Sequence, residues 1–286
     1  MPRPPVSTIA DQVFYSTVRI ETSLPNGTST GTGFLLLYSS DEVVYPVLVT
    51  NKHVLADATA ATFTLARSEN GAPMSAGTQI TMTEFSPAAW LGHPRVDVDV
   101  AVMAFGPVLN EMENRGAPAF YRAFGNDLLL TEAQAESLDS IENVTFVGYP
   151  SGLFDTASML PIARRGQTAT PIFNDYRGWP AFLIDASVFP GSSGSPVLIL
   201  DRGSYTTRGG DTHIASRLYV AGVVAAVHTR RVHGEVQMAA TGVASFDDAI
   251  DLGIVFKAST IQECVDLLFQ RLGVDLTGAP DASALA

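Results

Sequence analysis

The sequence predicts an all-β fold. Short apolar runs rich in Val, Ile, Leu, Tyr and Phe recur along the chain, and Gly, Pro, Asn and Asp separate them. Helical periodicity is confined to two segments. The composition allows a large core: of 286 residues 46% are hydrophobic and only 16% charged, so the chain can bury enough surface to order itself apart from its ends. We see no internal repeat and no linker, and many short strands at modest spacing fit a barrel or a sandwich.

The strands follow in order. Val13 to Ile20 reads as the first, and Asn26-Gly27 signals a hairpin turn. Gly33–Leu37 and Val43–Thr50 follow. Val98–Phe105 alternates and then stays apolar, as a buried strand does. Val144–Gly148, Ala181–Asp185, Pro196–Leu200, Leu218–Val227 and Leu252–Lys257 complete the series. Asp201 to Arg217, rich in Gly, Thr and Arg, reads as a long surface hairpin. One helix is expected from Thr131 to about Ser140, because Thr131 and Gln134 form a capping-box pattern. A second spans about Thr260 to Leu272, where Ile261, Cys264, Val265, Leu268 and Leu272 recur at helical spacing and define one docking face. The N-terminal residues 1–11 and the tail 273–286 lie outside the expected domain, 12–272, whose two halves would meet near 120–143.

Charge and cysteine content exclude several classes. The net charge of −12 argues against nucleic-acid binding, which needs a basic face. A single cysteine, Cys264, rules out an internal disulfide. No apolar run approaches the length of a membrane span, and Met1-Pro2-Arg3-Pro4-Pro5 opens no signal-peptide apolar stretch. These features lead us to expect a cytoplasmic protein without a membrane association.

The chemistry concentrates in Phe189-Pro190-Gly191-Ser192-Ser193-Gly194-Ser195-Pro196. An acyl-transfer nucleophile sits on a tight turn whose own amides point at the developing oxyanion. Ser193 is the one serine of this run with glycine two before it and one after it. Glycine at 191 tolerates φ > 0, and glycine at 194 is expected to let substrate approach the backbone. A plain Ser/Gly loop would read the same in isolation. A serine hydroxyl also needs a base. His53, in Leu48-Val49-Thr50-Asn51-Lys52-His53-Val54-Leu55, follows an apolar strand and is the candidate. Asp99, at the head of Asp99-Val100-Ala101-Val102, is the candidate to orient it.

Together these residues resemble the chymotrypsin/trypsin-like serine proteases, nearest to the bacterial HtrA-like and glutamyl-endopeptidase-like protease domains. The order His…Asp…Ser, at separations of 46 and 94 residues, is that of the chymotrypsin type. Thr30-Gly31-Thr32-Gly33-Phe34, Gly148-Tyr149-Pro150, Asp185-Ala186-Ser187 and Gly222-Val223-Val224 match further family positions over roughly residues 12 to 272. No PDZ-like segment is expected, since fewer than about 15 residues follow Leu272. The resemblance implies two six-stranded antiparallel β-barrels with a C-terminal helix, and a serine endopeptidase acting on polypeptide substrates without metal or cofactor. His53 would be general base and acid, Asp99 its orienting group, and the amides of Gly191 and Ser193 the oxyanion hole. Ser187, Val188 and Phe189 would form one wall of the substrate pocket, and Ala225, Ala226 and Val227 the other, favouring a small or medium apolar P1 residue.

Competing candidates and departures matter as much. Asp97 shares the expected strand face of Asp99 but reads as a solvated charge. His93 with Asp97 and Asp99 lacks a further ligand at metal-site spacing. Residue 192 is serine where digestive relatives carry an aspartate that pairs with a newly cut N-terminus, which points to control by loops, by homo-oligomer assembly or by a regulatory protein partner. Val224 stands where the glutamyl-specific branch places histidine. The alternative function is a non-catalytic or latent binding module that has kept the fold.

Overall fold

The computed structural model describes residues 5–40, 43–236 and 242–275; at 40, 226–236 and 242–250 it describes the backbone alone. A short helix α1 (Ile9–Val13), closed by a Thr8/Asp11 capping box, occupies the start of the region expected to be strand. The N-terminal lobe follows as β1 (Thr17–Leu24), β2 (Gly27–Ser40), β3 (Val43–Thr50), a one-turn helix α2 (Lys52–Leu55), β4 (Ala60–Glu69), β5 (Ala72–Met82), β6 (Leu91–Gly92), β7 (Ala101–Ala104), helix α3 (Gly106–Asn114), β8 (Ala119–Phe120) and β9 (Phe124–Gly125). Their pairing order is β5-β4-β1-β2-β3-β7-β6, with β8 on β4 and β9 on β2. The first hairpin pairs Leu24 with Gly27, so Pro25 and Asn26 form its turn, one residue earlier than expected.

Helix α4 (Glu132–Ser137) sits at the crossing between lobes. Its Thr131/Gln134 capping box forms as expected, but Leu138 is already extended, so the helix is shorter than the expected segment. The C-terminal lobe contains β10 (Asn143–Gly148), β11 (Ile162–Thr168), β12 (Ala181–Asp185), β13 (Pro196–Asp201), β14 (Tyr205–Thr206), β15 (Thr212–His213), β16 (Arg217–Val236) and β17 (Gly242–Lys257). Six of these close into a barrel in the order β10-β11-β12-β17-β16-β13. The small β14–β15 ribbon is the tip of the 201–217 hairpin, whose legs pair Asp201 with Arg217.

Two large hydrophobic clusters and a small third one, of Tyr15, Ala66 and Phe120, hold the described residues together. One large cluster lies inside the N-terminal lobe and includes Ile20, Leu35, Leu48, Phe63 and Phe105. The other crosses the seam: Phe34, Val49 and Val102 of the first lobe share it with Phe146, Val197 and Val220 of the second. Helix α5 (Ala258–Leu272) lays Ile261, Cys264, Val265 and Leu268 onto this shared core, as its periodicity predicts. Leu272 is the exception. It is half exposed, because Gly273 adopts a left-handed cap there and turns the chain away. The seam is therefore a packed interior, and strand ends that meet across it are held in register by the same burial that stabilises the domain.

Candidate active site

The apolar residues of β3 run into the core and end at Thr50. The chain then turns through Asn51, whose side chain is fully buried, into α2, which buries Val54 and Leu55 and leaves His53 facing out. His53 meets Asp99 at two points. The Asp99 carboxylate accepts the His53 backbone N–H at 3.1 Å, and its other oxygen lies 2.5 Å from Nδ1. A carboxylate oxygen can only accept, so Nδ1 carries the proton and Nε2 is left as an acceptor.

The Asp99 segment is fixed by the residues just before His53. Asn51 Nδ2 donates to the Asp99 carbonyl at 2.6 Å. Lys52 Nζ donates to the carbonyls of His93 and Arg95 at 3.2 and 2.8 Å. Asp97 turns away and forms a two-pronged pair with Arg95 on the surface, and that guanidinium holds its carboxyl below the ordinary value. His93 also faces elsewhere: its buried ring meets Glu263 of α5 at 2.9 Å.

The turn carrying Ser193 is pinned peptide by peptide. The Pro190 carbonyl accepts from Ser151 N at 2.5 Å. The Gly191 carbonyl accepts from Thr32 Oγ1 at 2.8 Å, and Ser192 N donates to Phe189 O at 3.0 Å. The Ser192 carbonyl accepts from Ser195 N at 3.0 Å, the Ser193 carbonyl from Thr32 N at 2.8 Å, and Gly194 N donates to Val224 O at 2.8 Å. Of the amides from Gly191 to Ser195, those of Gly191 and Ser193 have no acceptor among the described residues. In a trans peptide each N–H points opposite to the preceding carbonyl. Pinning Pro190 O and Ser192 O thus aims these two N–H groups away from the protein contacts, as an oxyanion site requires. The Ser193 hydroxyl donates to the Ala225 carbonyl at 3.3 Å; among the described residues no hydrogen bond joins it to His53.

The two glycines have different reasons. Gly191 takes φ +86° and packs on the Tyr149 carbonyl. Gly194 takes φ +87°, and a Cβ there would collide with the Thr32 carbonyl oxygen. The expected reason for Gly194, access for substrate, is therefore corrected: the first lobe's own backbone crosses there.

The expected pocket residues divide. Ser187 is half-buried and Val188 is buried in the core cluster. Phe189 is exposed, with the Arg164 guanidinium carbon 4.8 Å from its ring centre. Ala225 is buried and presents its carbonyl to Ser193. The side chains of Ala226 and Val227 lie outside the described residues. Sequence reasoning missed Thr32, Thr50, Asn51 and Lys52 as supports, although all four fall inside the motifs that identify the site. It also missed Arg164. A cavity of about 510 Å³ between α4 and α5, lined in part by Leu130, Glu132, Ile172 and Lys257, contains none of these residues.

No curated protein matches the chain. Among solved structures, a serine endoprotease from Yersinia pestis is similar at 14% identity, with 93% of this chain and 68% of that one covered and a TM-score of 0.44. The catalytically active tobacco etch virus protease complexed with product is similar at 11% identity, with coverage of 100% and 88% and a TM-score of 0.48. An inactivated protease paralogue of the scabies mite is similar at 12%, with coverage of 91% and 98% and a TM-score of 0.46. A family model described as the trypsin-like peptidase domain matches residues 31–204, a span that runs from the strand bearing Thr32 through His53 and Asp99 to the Ser193 turn. More than half of the chain falls within that match, and the chain belongs to the trypsin-like peptidase family.

Proposed function

We propose that this trypsin-like peptidase is a serine endopeptidase with Ser193 as nucleophile, His53 as general base and acid, and Asp99 as the group that orients His53. The observation that carries the proposal is the pinned turn, which leaves the Gly191 and Ser193 amides without an acceptor among the described residues. In this mechanism the Ser193 hydroxyl leaves Ala225 O and donates to His53 Nε2. Oγ then attacks the substrate carbonyl carbon while Nε2 takes the hydroxyl proton. The carbonyl oxygen, now negative, is received by the two amides. Collapse of this adduct breaks the C–N bond, and His53 returns the proton to the departing amine. Water repeats the sequence on the acyl-enzyme, with His53 again as base, and frees the Ser193 hydroxyl. Asp99 stays ionised and stabilises the imidazolium that forms at each step.

The buried apolar Val188 and Ala225 support a pocket for a small or medium apolar P1 side chain. A latent form is the second reading, and the bond from Ser193 to Ala225 rather than to His53 is what favours it. One experiment tests both. A fluorophosphonate probe should label the wild type and not Ser193→Ala, and Ser193→Ala should lose hydrolysis across a peptide library while keeping the wild-type thermal midpoint. Undiminished hydrolysis by Ser193→Ala would refute the nucleophile. Cleavage mainly after acidic or basic residues would refute the pocket.

A further inference from the structure

We propose that Thr32 is a positioning residue: its hydroxyl joins the nucleophile turn to the Tyr149 turn, whose Ser151 N–H pins the Pro190–Gly191 peptide and so aims the Gly191 oxyanion amide, while its backbone amide holds the Ser193 carbonyl. The proposal rests on Ser193 being the nucleophile. Glycine at 191 makes the question real, because a residue without Cβ has access to both signs of φ. Inside the turn Ser195 N holds the Ser192 carbonyl, but among the described residues the Pro190 carbonyl is held only from outside, by Ser151 N, so a contact beyond the turn must choose the orientation of the Pro190–Gly191 peptide. Ser192 does not supply it. Its side chain is 1% exposed, and its Oγ finds no hydrogen-bond partner among the described residues.

Thr32 supplies it at two points. Its Oγ1 donates to the Gly191 carbonyl at 2.8 Å and accepts from Tyr149 N at 3.1 Å. Its own N–H donates to the Ser193 carbonyl at 2.8 Å. Tyr149 opens the tight turn in which Ser151, at φ +51°, presents its N–H to the Pro190 carbonyl. One buried hydroxyl therefore ties together the strand of the first lobe, the Tyr149–Gly152 turn and the nucleophile turn. Thr32 is itself tied to the histidine side of the cleft, because Thr50 Oγ1 donates to the Thr32 carbonyl at 2.7 Å and Asn51, Lys52 and His53 follow directly. Thr32 is fully buried, so removing its hydroxyl leaves the Gly191 carbonyl and the Tyr149 amide without a partner and out of reach of water. That penalty is relieved by drawing the Tyr149 turn away from the nucleophile turn, which carries the Ser151 N–H off the Pro190 carbonyl and frees the Pro190–Gly191 peptide to turn its own N–H away from substrate.

The test is Thr32→Val, which keeps the branched shape and deletes the hydroxyl, compared with Thr32→Ser, which keeps the hydroxyl. In Thr32→Val kcat should fall about 10- to 100-fold, below the ceiling set by removing a whole oxyanion donor, with KM unchanged. Affinity for a peptide trifluoromethyl ketone, whose adduct carries the oxyanion, should fall by the same factor as kcat/KM. Thr32→Ser should restore both. If Thr32→Val does not fold, Thr32→Cys serves in its place: it is close to serine in shape but a weak donor, and it should lose kcat where Thr32→Ser does not. Unchanged kcat in a folded Thr32→Val or Thr32→Cys, or a loss confined to KM, overturns the clamp. Hydrolysis retained by Ser193→Ala overturns the nucleophile and the clamp with it, whereas hydrolysis lost in Ser193→Ala but intact in the Thr32 variants overturns the clamp alone.

Discussion

Replacing Asp99 by Asn isolates the role of one proton. The Asp99 carboxylate takes two bonds from His53, one from the backbone N–H and one from Nδ1. The backbone N–H is a donor in every state, so the asparagine must present its carbonyl oxygen to it. Its amide NH₂ then faces Nδ1 and donates. The ring proton moves to Nε2, and the atom that should accept from Ser193 becomes a donor. The change is isosteric, and the Asn51 bond to the residue-99 carbonyl is a backbone contact that persists, so the fold should hold. A misplaced tautomer in a triad costs about 10⁴-fold in turnover, equivalent to about 5.5 kcal/mol of barrier. Asp97→Asn is the matched control: among the described residues Asp97 pairs only with Arg95, on the surface, and its loss should leave turnover within about threefold. Both are read as kcat on a peptide substrate, with thermal midpoints to confirm folding. A turnover for Asp99→Asn within about tenfold of wild type, or a larger loss in Asp97→Asn, would refute the assignment.

Two further outcomes follow from packing. Gly194→Ala forces a Cβ into the Thr32 carbonyl and strains a φ of +87°, so urea denaturation should show a loss of about 2 kcal/mol or more; an unchanged midpoint would show that the lobes do not meet there as described. Burial pushes the Cys264 thiol up to about 12 from its ordinary 9.0, so a thiol reagent at about pH 8 should label it only after unfolding. Across that window the unfolded thiol sheds its proton while the folded one keeps it, and stability should fall as pH rises, by up to about 1.4 kcal/mol per pH unit. Cys264→Ala should flatten that slope.

How much of this was legible depended on what each residue does. Strands written as continuous apolar runs announced themselves: Val43–Thr50 and Ala181–Asp185 match β3 and β12 end for end, although Val43 and Val44 at the head of β3 are exposed. The pair β4–β5 was missed. In β4 the alternation Ala61, Phe63, Leu65 is present but mixed with Thr and Ala, and β5 buries little beyond Thr78 and Ile80, so its pattern is mostly that of a surface. Helix α3 was also missed, although Pro107 at its start and Val108, Leu109 and Met112 on its buried face carry helical spacing. The choice of Asp99 over Asp97 was made from the strand that follows, and the contact between Asp99 and His53 agrees with it. The supporting bonds were not legible, because they join residues 159 and 117 positions apart through single hydroxyl and carbonyl atoms, and no local pattern records such a contact.

The same long-range bonds explain why the site lies at the seam between lobes. Neither lobe holds the arrangement alone. The first contributes the His53–Asp99 pair, oriented by Asn51 and Lys52; the second contributes the Ser193 turn, whose glycines leave its peptide planes free to rotate. Thr32, a residue of the first lobe, ties that turn to β2, and Thr32 in turn is held by Thr50, three positions before His53. Each half of the proposed site is thus tied to one short segment of β2, and the shared core of Phe34, Val49, Phe146 and Val197 resists relative movement of the two. A substitution that loosens this core should therefore cost turnover before it costs folding, because an oxyanion amide misaimed by a fraction of an ångström weakens catalysis while the buried area that stabilises the domain is almost unchanged.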